Sequence, residues 1–104
     1  MGSTLLIKGG RLIDPAGGYE GVPKDILVKD GRIEAIGDVI DPTGDIPVLT
    51  LRGEYVAPGF IDIHTHVYTG VSLGVPADQI GVRTGVTTVV DAGSAGSANF
   101  EDFL

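Results

Sequence analysis

In the first half of the chain, apolar residues come in short runs that glycine interrupts. Thr4 to Lys8 is one run; Gly9 and Gly10 break it, and Arg11-Leu12-Ile13 resumes it. The simplest reading is two short strands around a Gly-Gly turn, because tight turns need the positive φ that glycine adopts freely. Asp14 to Gly18 (DPAGG) has the chemistry of a loop. Asp25 to Lys29 and Arg32 to Ile36 flank Asp30-Gly31. Asp-Gly between strand-like runs predicts a type I′ hairpin, whose two central residues both take φ > 0. Residues 37–47 are polar, carry Pro42 and Pro47, and read as a loop. Val48 to Leu51 and Glu54 to Ala57 add two strand pieces on either side of Gly53.

The pattern changes at Ala57-Pro58-Gly59. Pro58 pushes Ala57 into extended geometry. Phe60 to His66 (FIDIHTH) is then nearly continuously apolar up to its histidines, the pattern of a strand buried on both faces. Val67 to Val75, with Gly70 and Gly74, reads as a loop. Pro76 to Thr84 predicts a short helix: Pro76 suits its first position, Ala77, Ile80, Gly81 and Thr84 share a face, and Gly85 suits the left-handed position past its end. Gly81 inside that helix costs about 1 kcal/mol against Ala and points to close backbone packing. Val86 to Asp91 is again strand-like, Ala92 to Asn99 a loop, and Glu101 to Leu104 the beginning of another helix. Strand, loop, helix, glycine and strand make a βαβ unit whose two strands run parallel side by side.

Composition narrows the classes. Seventeen glycines in 104 residues is more than twice the usual share of about 7%. They stand singly or in pairs between β-branched runs, as in a fold of many short strands. With no cysteine there is no disulfide framework, iron–sulfur cluster or thiolate zinc finger. The formal charge of −7 argues against a nucleic-acid or anionic-membrane partner. No apolar run approaches the roughly 20 residues of a membrane helix. The start lacks a basic stretch followed by an apolar one, so the expectation is no signal peptide and a cytoplasmic location.

The chain's two histidines are His64 and His66. At i and i+2 on a strand they point the same way. Two neutral imidazoles converging at the C-terminal end of a strand form half a site for a borderline divalent cation such as zinc. Asp62 shares their parity one step deeper, where it is placed to position a histidine or satisfy a buried polar group. A bare His-x-His also occurs by chance in many chains. Asp91 ends the second strand, in register to face the same end or to accept loop amides. Tyr68, in the loop after the histidines, faces either a substrate or solvent. Ser94 and Ser97 have no histidine beside them in the sequence, which argues against a serine nucleophile. The segment Gly93 to Gly96 lacks the lysine and spacing of a phosphate loop.

Three blocks resemble one family. Tyr55-Val56-Ala57-Pro58-Gly59-Phe60-Ile61-Asp62-Ile63-His64-Thr65-His66 is similar to the V-x-P-G-F-I-D-x-H-x-H signature of the amidohydrolase superfamily. Thr84 to Gly93 (TGVTTVVDAG) resembles that family's second barrel strand. Lys29 to Gly37 (KDGRIEAIG) resembles the N-terminal hairpin of its cyclic-amidohydrolase branch. The run Asp91 to Gly96 (DAGSAG) leans toward dihydroorotase-like deacetylases rather than hydantoinases. The resemblance implies an α/β fold: a (β/α)₈ barrel with a small β-sandwich built from N- and C-terminal segments. Residues 1–57 would supply strands of the sandwich, and residues 58–104 the first βα unit and second strand of the barrel.

It further implies one or two divalent metals, most often zinc, with His64 and His66 as ligands; Asp62, Tyr68 and Asp91 are, from their positions in the strands and loop, the candidates to lie beside the metal or the substrate. The implied reaction is hydrolysis of an amide, cyclic amide or ester of a small molecule by a metal-activated water. In the family a carboxylated lysine, two more histidines and an aspartate that also serves as general acid and base lie on later strands. A barrel takes roughly 250 residues. The expectation is therefore an N-terminal fragment that binds metal weakly or not at all, is inactive alone, and self-associates or forms a homo-oligomer. The competing reading is a self-contained β-rich binding or structural module with an incidental His-x-His.

Overall fold

The computed structural model describes residues 2–104. The chain folds as two units, Met1–Pro58 and Gly59–Leu104. The result is a sheet-rich mixed α/β chain.

The first unit is a five-stranded mixed sheet. Its strands are β1 (Thr4–Asp14), β2 (Tyr19–Lys29), β3 (Arg32–Gly37), β4 (Val48–Thr50) and β5 (Tyr55–Val56). The order is β3-β2-β1-β4, with β5 also paired to β1. The β1–β2 and β2–β3 pairs are antiparallel, whereas β4 and β5 lie parallel to β1. Leu6, Leu12 and Ile26 form its buried core. Asp30 and Gly31 have φ of 53° and 74°, the two positive values that the Asp-Gly hairpin requires.

Two expectations for this unit are corrected. Gly9-Gly10 is not a turn between strands: β1 runs through it, and the pairing with β2 shifts register between Ile7 and Gly10. Gly9 sits at φ 76°, where a Cβ would collide with the Leu51 carbonyl, so the positive φ serves an irregularity inside one strand. Strand β2 also begins at Tyr19, well before Asp25. Pro23 is accommodated because β3 pairs only with Asp25 to Lys29, so the earlier part of β2 is free on that side.

Residues 38–47 form no strand, as expected, but they are anchored. Asp25, 6% exposed, accepts hydrogen bonds from Lys8 Nζ (2.6 Å), the Ile40 amide (2.9 Å) and the Gly9 amide (3.2 Å), while Lys8 also donates to the Ile40 carbonyl (2.7 Å). Burial pushes the Asp25 carboxyl up. The Lys8 ammonium and the two amides more than offset it, so the group titrates below the usual carboxylate range.

The second unit holds β6 (Phe60–Thr65), α1 (Ala77–Ile80), a 3₁₀ turn (Val82–Thr84), β7 (Val86–Asp91) and α2 (Phe100–Phe103). Strands β6 and β7 are parallel, with Asp62 opposite Val89 and Thr65 opposite Asp91. The helix expected over Pro76 to Thr84 is a single α turn and a 3₁₀ turn joined at Gly81. A Cβ there would stand 2.9 Å from the Ala77 carbonyl oxygen and 3.4 Å from that of Val86, the close packing its mid-helix glycine announced. The expected two-sided burial of β6 is not found: Phe60, Ile61 and Ile63 are 63%, 64% and 76% exposed. A two-stranded sheet with two short helices lacks a layer for each face. Among the described residues no helix is long and apolar enough to cross a membrane.

Candidate metal site

His64 and His66 stand at the C-terminal end of β6, their ring centroids 5.6 Å apart and the planes inclined by 72°. Alternation along an extended segment places both rings on one side. Thr65, between them, faces the other way and is buried. Its hydroxyl donates to the Val90 carbonyl (3.0 Å), and its own carbonyl accepts from the Ala92 amide (2.8 Å), which ties the ends of the two parallel strands together. The Asp62 carboxylate accepts the His64 amide at 3.1 Å, so it steadies the backbone carrying the first histidine. The His66 carbonyl accepts the Val75 amide (2.8 Å) and closes the intervening loop.

Asp91, at the end of β7, binds amides of both following loops. One carboxylate oxygen accepts from Val67 (2.9 Å) and Tyr68 (3.4 Å), the other from Ser94 (2.7 Å). Desolvation pushes its carboxyl up, but these amides and the Ser94 hydroxyl outweigh that and hold it below the usual carboxylate range. Tyr68 is not a surface residue: it is 8% exposed, and its ring packs on Phe103 with centroids 5.1 Å apart. Gly74 lies directly against the Tyr68 main chain, where a Cβ has no room, so the loop wraps closely around this side chain.

The contact that sequence reading missed is Ser94. Its Oγ lies 2.7 Å from His66 Nδ1, although the two are 28 positions apart. The sequence signal was indirect. Once β6 and β7 are parallel with Thr65 opposite Asp91, the residues just beyond each must meet.

The donor chemistry fits a divalent cation in part. Two imidazoles share one side of a strand end, and the contact of His66 with Ser94 is made through Nδ1, away from Nε2. Asp62 and Asp91 are engaged by backbone amides. Among the described residues no group of three or more His, Cys, Asp or Glu is assembled to hold a metal.

No protein-family model matches the chain. Individual relatives do. The deacetylase of Brucella anthropi is 43% identical over 81 residues, which cover 76% of this chain and 20% of that protein. The dihydroorotase of Anaeromyxobacter dehalogenans is 40% identical over 67 residues, covering 64% of this chain and 15% of that protein. A crystal structure of a dihydroorotase superposes with a TM-score of 0.85 at 31% identity, over 97% of this chain and 27% of that one. By sequence and by fold the chain belongs with the amidohydrolases of the dihydroorotase and deacetylase kind. The chain spans about a fifth of the length of the curated deacetylase it matches. Its histidine pair sits at the C-terminal end of the first strand of the second unit, His64 on it and His66 just past it, and its Asp91-Ser94 turn at the end of the next.

Proposed function

We propose that this chain contributes the first metal-ligating strand of a metal-dependent amidohydrolase that cleaves an amide, cyclic amide or ester bond in a small molecule. The observation that carries the reading is the pair of imidazoles, 5.6 Å apart, on one side of the C-terminal end of a parallel strand. On this reading residues 1–57 supply strands of a composite β-sandwich, and residues 58–104 supply the first βα unit and second strand of a barrel.

His64 and His66 are the residues that would hold the ion. Imidazole donors suit zinc among the common divalent cations. When bound, the ion supplies Lewis acidity toward a water molecule and a scissile carbonyl. The residues of this chain bind and orient. Asp62 fixes the backbone of His64, Thr65 locks the strand ends, and Asp91 holds the loops that flank the pair. None of them is placed as general acid or base, a role the resemblance assigns to an aspartate on a later strand. Catalytic zinc takes three protein ligands and an open position. With two imidazoles, the 104-residue chain binds metal weakly and does not turn over substrate.

Cobalt(II) titration followed by visible absorption tests the reading. Weak binding that is lost in both His64→Ala and His66→Ala is the expected result. The alternative, a β-rich module with an incidental histidine pair, requires either no binding or binding that survives both substitutions.

A further inference from the structure

We infer that Ser94 and Asp91 are positioning residues that preset the His66 ring, so that His66 is the fixed member of the pair and His64 the member that adjusts. The inference rests on the metal-ligating role proposed above and deepens it, by dividing the work of binding unequally between the two imidazoles.

His66 is held on both sides of its Cα. In the peptide unit before it, the Thr65 carbonyl accepts the Ala92 amide at 2.8 Å. The peptide unit after it is bonded at both edges: the His66 carbonyl accepts the Val75 amide at 2.8 Å, and the Val67 amide donates to Asp91 Oδ2 at 2.9 Å. With both units tied, the direction of the Cα–Cβ bond is set and two side-chain torsions remain. The contact of Nδ1 with Ser94 Oγ, 2.7 Å long, fixes these, and it positions the ring whichever group donates. Ser94 is itself seated, because its amide donates to Asp91 Oδ1 at 2.7 Å. The two oxygens of one carboxylate thus hold the main chain beside His66 and the main chain of the serine that touches its ring.

His64 has a different setting. It is exposed, whereas His66 and Ser94 are half-buried. It also lies where the pairing of β6 with β7 slips: Asp62 is opposite Val89 and Thr65 opposite Asp91, which leaves Ile63 and His64 against the single residue Val90. An extra residue on one strand disrupts the ladder locally. The Asp62 carboxylate accepts the His64 amide at 3.1 Å, a hold on the main chain, and the ring meets that of His66 edge-on. Ordering a side chain at the moment of binding weakens affinity several-fold, and a ring already in place avoids that cost. Closure of the pair on an ion is then a movement of His64 toward a stationary His66.

Carbon-13 relaxation of the two histidine rings in the metal-free chain tests this. In the wild type the His66 ring should be as rigid as the backbone on the picosecond-to-nanosecond timescale, and the His64 ring clearly less ordered. Ser94→Ala should bring the His66 ring down to the order of His64 while the Val67 amide keeps its exchange protection, whereas Ser94→Thr, which keeps the hydroxyl, should preserve the wild-type order. Cobalt(II) affinity should fall by about fivefold in Ser94→Ala and stay near wild type in Ser94→Thr. Two rings of equal order in the wild type overturn the inference, and that comparison needs no variant to fold. So does a Ser94→Ala variant with unchanged His66 order or unchanged cobalt affinity. If His66 is rigid through Ser94 but the chain binds no cobalt, the metal-site reading fails and the positioning of the ring stands.

Discussion

The carboxylate of Asp91 holds the amide of Val67 at 2.9 Å, across 24 positions of sequence, and so joins the end of one parallel strand to the first residue after the histidine pair. Asp91→Ala frees that amide together with those of Tyr68 and Ser94. Hydrogen exchange should show these three amides losing protection together, while the Thr65–Ala92 link at the strand ends keeps its own.

Asp25 plays the corresponding part in the first unit, with Lys8, Gly9 and Ile40 converging on one buried carboxylate. Asp25→Asn should destabilise the protein by about 2–3 kcal/mol near neutral pH, read from urea unfolding. Because the folded-state pKa is lowered, this stability is present above the unfolded carboxylate value of about 3.9 and is lost as pH falls through the folded one. The gap between wild type and variant should therefore shrink in acid.

Gly9 combines positive φ with contact against the Leu51 carbonyl. Gly9→Ala meets both penalties and should lower stability by about 2 kcal/mol. Gly31→Ala tests positive φ alone, since nothing lies within 4 Å of its missing Cβ, and should cost about 1 kcal/mol. Thermal unfolding of the two variants side by side separates the terms.

These positions show what could be read ahead of the structure. Asp30-Gly31 was legible because a type I′ turn is decided by two adjacent residues. Gly9-Gly10 misled because a turn and a strand irregularity ask the same positive φ, and the difference lies in a neighbour at Leu51 that only folding supplies. The early half of β2 was hidden by Gly21 and Pro23, which are tolerated because β3 does not reach them. The histidine pair was legible from strand parity. Ser94 was not, because its approach to His66 depends on the register of two parallel strands.

The exposed Phe60, Ile61 and Ile63 on β6 lead us to expect self-association. Sedimentation should show concentration-dependent mass, reduced by Ile63→Lys. A dilute, stable monomer would count against this.

On the function proposed above, His64 and His66 together hold a divalent ion. A zinc-edge anomalous difference map from zinc-soaked crystals of the chain tests it most directly. One peak shared by the two imidazoles is expected, with zinc–nitrogen distances of about 2.0–2.1 Å. Zinc bound only at surface carboxylates, or no peak beside the pair, would contradict it.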